Sequence, residues 1–284
     1  MIDSFEIDAT AHRPSQGGAS LFAILALAVG LTLGGCNTSL PDMSGAMGKF
    51  STPPASLPKD ETALRRYSEE LGKRYDANRG DKTLAMPYAK ALHALGQNAQ
   101  AVAVLKGLAI QNPEDMQVLS AYGKALADAG QLKEAGDILT RAHTPERPDW
   151  SVLSTQGSIA DQLGDHEVAR GYYDAALKIQ PNDPNLLSNL GLSYALSRQL
   201  PKAEETLRQA ASQPGADERV RQNLALVLGL QGKFAEAEDL LRRDLSPEDA
   251  RANIASIREM IAQSDTWREI QTSAATSRPA GKRN

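Results

Sequence analysis

The sequence predicts an all-α fold: a right-handed α-solenoid of about five helix–turn–helix units with a capping helix at each end. Three observations carry that expectation. The first is a period. Five consecutive windows of 34 residues run from Lys82 to Arg251 with nothing inserted or deleted between them. The second is a set of small residues at fixed slots. Position eight of the windows reads Ala89, Gly123, Gly157, Gly191 and Ala225, and position twenty reads Ala101, Ala135, Ala169, Ala203 and Ala237. Position fifteen reads Gly96, Gly130, Gly164, Arg198 and Gly232. The third is composition. The 284 residues are 41% hydrophobic but 5% aromatic, so Ala and Leu supply the core and strand formers are scarce.

A period of 34 residues is the tetratricopeptide period. Positions eight and twenty are expected to meet where the two helices of a unit cross, because Gly or Ala lets the backbones approach. Position fifteen sits at the turn, where Gly reaches positive φ without steric cost. Arg198 breaks that series and predicts a different turn in the fourth repeat. Larger residues at positions seven, eleven and twenty-four fill the space between neighbours, and stacking buries what one unit cannot.

Taken in order, residues 1–18 are polar and acidic at Asp3, Glu6 and Asp8, with Arg13 their one full positive charge. Leu21–Leu33 is an apolar run of 13 residues, too short for a spanning helix, which needs about 20. It reads as the core of a signal peptide over residues 1–35. Leu33-Gly34-Gly35-Cys36 follows, and it resembles the lipobox of bacterial lipoproteins, in which the Cys becomes the acylated first residue. Cys36 is the single Cys of the chain. An uncleaved anchor or a buried Cys is the rival reading, and the acidic start leaves open a translation start downstream of Met1. Acyl chains on Cys36 would hold the protein to a membrane. By the same resemblance, Asn37 rather than Asp after the Cys implies the periplasmic face of the outer membrane. Residues 36–59, rich in Ser, Pro, Gly and Thr, read as a flexible tether. The 23 residues after Cys36 span roughly 25–30 Å root-mean-square.

The repeat domain is expected over 60–263. Asp60 caps a first amphipathic helix bearing Leu64, Tyr67, Leu71 and Tyr75, which ends near Asn78. The repeats follow at 82–115, 116–149, 150–183, 184–217 and 218–251. Pro87 predicts a late start, near Met86, for the first helix of repeat one. Ser246-Pro247-Glu248-Asp249 opens a last helix, with Ile254, Ile257, Met260 and Ile261 as its apolar stripe. Residues 264–284 lose periodicity and end basic, which predicts a disordered tail; Trp267 and Ile270 read as a short docking segment or as a fold-back on the last helix.

Charge and motifs exclude several function classes. The net charge of −4 gives no basic footprint for nucleic acid. No Cys/His metal spacing, phosphate loop, dinucleotide fingerprint or calcium loop occurs, so no cofactor, metal or small-molecule substrate is expected. Asp165-His166-Glu167 begins like a zinc-protease motif, but Arg170 stands where the second His belongs, and a solvated helix start is the plainer reading. Gly191-Leu192-Ser193-Tyr194-Ala195 is near a nucleophile elbow, yet it lies inside a helix rather than on a strand-to-helix turn. A hydrolase is therefore the weakest reading.

Binding is expected on the face lined by the first helices. In repeats one to three its outward slots are largely polar, and include Met86, Lys90, His93, Gln117, Ser120, Lys124, Asp128 and Ser154. In repeats four and five they include Asn185, Ser188, Leu192, Leu196, Arg219, Gln222, Leu226 and Leu230, with Asn189 and Asn223 beside them. Four leucines there suggest a partner helix or peptide laid in the groove, or else packing of the superhelix. Asn189 and Asn223 lack the Lys and Arg partners of a chaperone-type carboxylate clamp, so capture of a C-terminal carboxylate is not expected.

The stretches Asn189–Gln209, Pro214–Asp217, Val220–Glu238 and Arg243–Glu248, together with the Cys36 signal, resemble the TadD-type tetratricopeptide lipoproteins of the Tad (tight adherence, Flp-type) pilus assembly system. The likeness is strongest in repeats four and five. It implies a non-catalytic, outer-membrane assembly factor whose partners are pilus secretion proteins such as the secretin. A repeat lipoprotein that scaffolds cell-wall enzymes or another envelope complex is the alternative.

Overall fold

The protein is seen in a computed structural model that describes residues 57–276, with side chains to Gln263. The signal segment, Cys36, the tether as far as residue 56 and the tail from residue 277 lie outside the described residues. Twelve α-helices and no strand make up the described part. They are α1 (Glu61–Ala77), α2 (Lys82–Ala94), α3 (Asn98–Gln111), α4 (Met116–Asp128), α5 (Leu132–Thr140) and α6 (Trp150–Leu163). Then come α7 (His166–Ile179), α8 (Pro184–Leu196), α9 (Leu200–Ala211), α10 (Glu218–Leu230), α11 (Phe234–Leu241) and α12 (Pro247–Thr276). Each helix packs on the next in the chain, so the five repeats are the pairs α2–α3 to α10–α11.

What starts each repeat is an Asp. Asp81, Asp115, Asp149, Asp183 and Asp217 recur at the 34-residue period, and each side chain accepts a backbone N–H from the first turn of the helix behind it. This anchors a helix start by satisfying an orphan donor, worth about 1 kcal/mol. Asp81 settles the matter of Pro87: the cap takes the N–H of Thr83, α2 begins at Lys82, and Pro87 lies within the helix. The late start expected at Met86 is not found.

What turns each repeat is a left-handed residue at position fifteen. Gly96, Gly130, Gly164 and Gly232 have φ of 72°, 76°, 90° and 78°, and Arg198 has 62°. The hydrogen bond that closes the turn is the same in all five. The N–H of Gln97, Gln131, Asp165, Gln199 or Lys233 reaches the carbonyl five residues earlier, at 2.8–2.9 Å. The fourth turn is therefore not different in shape, as its sequence led us to expect; Arg198 is held in the glycine conformation.

Position eight meets its partner helix at position twenty, where a Cβ on Gly123 would stand 3.5 Å from the Ala135 carbonyl oxygen and one on Gly191 3.3 Å from that of Ala203, and more tightly still at position twenty-four. A Cβ on Gly123 would stand 2.6 Å from the Leu139 side chain, on Gly157 2.6 Å from the Tyr173 ring, and on Gly191 2.6 Å from Leu207. The alanines at position twenty are buried beside them. Position three carries the contact between repeats: Leu84, Val118, Val152, Leu186 and Val220 are all buried.

The same register extends past both ends. Ile254 falls one period after Val220 and is buried like it, so α12 supplies the first helix of a sixth, incomplete unit. Ser246 caps α12, accepting the N–H of Asp249 at 3.1 Å, and Ile257 presses on Gly229. At the other end, α1 covers the interval one period before α3, as the second helix of a unit without a first. Its Tyr67 takes the slot that is Ala101 in repeat one; with no first helix opposite, nothing requires a small residue there. The last helix also runs beyond Gln263, where a disordered tail was expected, to Thr276. Loss of apolar periodicity did not end it, because the interval to Pro279 holds no Gly or Pro.

Candidate functional site: the face of the first helices

The face built by α2, α4, α6, α8 and α10 changes character along its length, and position six changes with it. In repeats four and five this slot is Asn. Asn189 donates to the Ser154 hydroxyl at 3.3 Å and Asn223 donates to Ser188 at 2.9 Å, each across to the preceding repeat. Arg219 likewise donates to the Asn185 side chain at 2.7 Å. Five of the ten groove residues singled out from sequence thus bond one repeat to the next. Gln222 donates within its own helix to Glu218, at 2.6 Å. Leu192, Leu196, Leu226 and Leu230 are half-buried, and Leu226 packs against the core of repeat five. The structure brings all ten onto one face, with most of their polar groups already engaged.

In repeats one and two, position six is Pro87 and Ala121, which have no such bond to make. Here the first helices stay open, and a cavity of about 740 Å³ lies between α2 and α4. Ala89, Ala101, Leu105, Ala121 and Ala125 give it an apolar floor. Lys90, His93, Gln117, Ser120, Lys124 and Asp128, six of the outward slots read from sequence, line it, and so does Met86. Sequence reasoning missed Leu57, Tyr67 and Asp149, which also line it. The signal for Asp149 was the capping series, since the Asp that starts α6 projects beside the groove.

Lys124 is the distinctive side chain of this cavity. It is half-buried and donates to the Ser151 hydroxyl at 2.8 Å. Burial holds its ammonium below the ordinary lysine pKa, against the raising influence of Asp149 and Asp128. Asp149 is occupied in capping α6, accepting from Ser151 at 2.8 Å and Val152 at 3.1 Å. Asp128 lies 3.4 Å from His93 Nδ1.

The two motif fragments set aside in the sequence turn out to touch. Ser193 donates to Asp161 Oδ1 at 2.8 Å, His166 Nδ1 lies 2.9 Å from the same oxygen, and the Tyr173 hydroxyl donates to Oδ2 at 3.1 Å. Burial and Asp161 together push the Tyr173 phenol well above its usual range. His166 is thus half-buried rather than solvated. The arrangement is no hydrolytic triad, for Asp161 stands between Ser and His, and Ser193 is completely buried inside α8. It is a polar clasp tying repeat three to repeat four. Among the described residues no cluster of His, Cys, Asp and Glu could hold a metal ion, and no helix is long and apolar enough to cross a membrane.

Comparisons with known proteins agree with this architecture. Three family models described as tetratricopeptide repeat match residues 58–147, 154–218 and 219–243. No curated protein sequence matches the chain. Among solved structures, a tetratricopeptide repeat protein from Parabacteroides merdae is similar with a TM-score of 0.61 and 12% identity, over 70% of this chain and 79% of that one. PilW, titled a widely conserved type IV pilus biogenesis factor, is similar at 0.55 and 18%, over 64% and 86%. A thermophilic tetratricopeptide protein of Thermus thermophilus is similar at 0.54 and 23%, over 61% and 96%.

Proposed function

From a chain that is a tetratricopeptide-repeat solenoid, a fold of protein-interaction scaffolds, we propose an outer-membrane lipoprotein that works without catalysis in assembling a Tad/Flp-type pilus apparatus, with the secretin as its partner. The observation that carries the reading is the open groove over repeats one and two, backed by repeats that are bonded to one another. An array with an unfilled channel on the face of its first helices suits binding of a segment from another protein. Cys36 and the resemblance of residues 189–248 to pilus-assembly lipoproteins supply the location and the system. The likeness to PilW is one of fold, and the pilus role in its title suggests where to look first.

Two experiments test the reading. Metabolic labelling with a palmitate analogue should mark the wild type and leave Cys36→Ser unlabelled; labelling of both removes the anchor. Affinity purification from detergent extract should recover the secretin with the wild type. Recovery of cell-wall hydrolases in place of the secretin would turn the assignment to a cell-wall scaffold. Met86→Glu with Ala121→Arg, which fills the channel, should abolish secretin recovery while the helical circular dichroism stays unchanged.

A further inference from the structure

We infer that the array carries a joint between repeats two and three, about which α1–α5 and α6–α12 turn as two stiff bodies. The inference is independent of what the channel between α2 and α4 binds.

The other junctions between full repeats are bonded along their turn edge. Between repeats one and two, Asn98 donates to the Asp128 carbonyl at 3.2 Å. From repeat three on, position twenty-one meets position fourteen of the next repeat. Arg170 donates to the Ser197 hydroxyl at 3.2 Å, and Gln231 donates to Glu204 at 2.8 Å. Between repeats two and three these slots hold Gly136 and Leu163, which have no such bond to make. A Cβ on Gly136 would meet nothing within 4 Å, and Leu163 is 58% exposed. Leu132 stands where repeat one has Asn98. Position six is no tie here either, because Thr155 donates within its own helix, to the Ser151 carbonyl.

The opposite edge is open as well. Helices α3, α7 and α9 end at positions thirty, thirty and twenty-eight of their windows, whereas α5 ends at twenty-five. Arg141–Asp149, nine residues with two prolines, makes the connection that elsewhere takes four to six. A cavity of about 570 Å³ opens beside the end of α5, lined by Thr140, Pro145, Pro148, Leu153 and Tyr172 among others. His143 also lines it, and its Nδ1 is buried without a partner. Apart from the cap at Asp149, the hydrogen bonds across this junction among the described residues are Lys124 to the Ser151 hydroxyl at 2.8 Å and His143 to the Gln156 side chain at 3.1 Å. The rest of the hold is apolar, since Val152 and Ile159 of α6 share a core with Val118 and Leu126 of α4. Apolar contact is non-directional, so these helices can shift against one another where directional bonds at either edge would fix them. The floor of the channel lies in the first body, and the leucines of repeats four and five lie in the second. The joint therefore sets the angle between two parts of one face.

The test is a pair of spin-label distance measurements on the full-length chain in frozen detergent solution, with Cys36→Ser so that the introduced cysteines are the only thiols. Ala103→Cys with Gly171→Cys spans the joint, and Gly171→Cys with Asp239→Cys spans an equal stretch inside the second body. All three sites are exposed and stand at position twenty-two, which matches the motion of the labels between the pairs. The distance distribution across the joint should be about two-fold broader than the one within the body. Equal widths overturn the inference. Gly136→Arg with Leu163→Ser copies the bond that joins repeats three and four. It should narrow the first distribution to the width of the second, with the helical circular dichroism unchanged. A first distribution that stays broad in this variant overturns the placing of the joint at those two slots. If the double variant loses helicity, the comparison of the two pairs without it decides alone.

Discussion

Arg198 is the residue at which sequence and conformation disagree most openly. A side chain held at a φ of 62° costs about 1 kcal/mol that Gly in the other four turns does not incur. Arg198→Gly is therefore expected to stabilise the protein by about 0.5–1 kcal/mol in urea unfolding. A loss of stability would mean that the Arg side chain contributes contacts the structure does not display. Asp161 is the opposite case, a residue whose partners depend on it. Asp161→Ala strands Ser193, Tyr173 and His166, at about 1–3 kcal/mol for each buried group left unpaired, and should lower the unfolding midpoint sharply. Ser193→Ala removes a single donor and should be mild; normal function of that variant and of His166→Ala would also dispose of the hydrolase reading.

At the level of the elements, ion pairs between and within repeats respond to acid. Lys82 beside Asp115, Lys233 beside Glu204 and Arg221 beside Asp244 each hold a carboxyl below the ordinary range. A lowered folded pKa adds stability above the unfolded value, about 4, and that stability is lost as pH falls through the folded values. Thermal midpoints should thus decline below pH about 4, and added salt should blunt the effect, since exposed pairs contribute only about 0.2–1 kcal/mol each. A midpoint flat between pH 5 and 2 would deny these pairs a role. Much of this level was legible beforehand. The period, the small residues at positions eight and twenty and both end helices follow from spacing that stacking requires. The Asp series that caps each repeat is equally periodic in the sequence, but it stands at the edges of the windows, and its role shows only once the helix starts behind it are placed. The opening of the groove was not legible, since it depends on which side chain at position six happens to reach across to a neighbour. The conspicuous apolar residues of this face are the leucines of repeats four and five, while the channel lies where Pro87 and Ala121 line it.

For the whole described unit, stability is a sum of neighbour contacts, so the ends matter more than their size suggests. Removing residues 247–284 strips Ile254 and Ile257 from repeat five, about 3–6 kcal/mol of apolar burial, and exposes the α10 surface around Gly229. Amide exchange in α10 and α11 should then accelerate well ahead of exchange in α4 and α6. Uniform acceleration would indicate one cooperative body instead of a chain of neighbours.

The exchange of Asn for Pro87 and Ala121 at position six also gives the array two mechanical characters. Asn189 and Asn223 tie repeats four and five to the repeat before each, whereas Thr155 at this slot bonds within its own helix and Pro87 and Ala121 make no bond from it. Repeats one and two are joined instead by an ion pair, Lys82 to Asp115 at 2.6 Å, and by Asn98 donating to the Asp128 carbonyl at 3.2 Å. Salt and acid, which weaken an ion pair but not an amide–hydroxyl bond, therefore act first on the repeats that frame the channel.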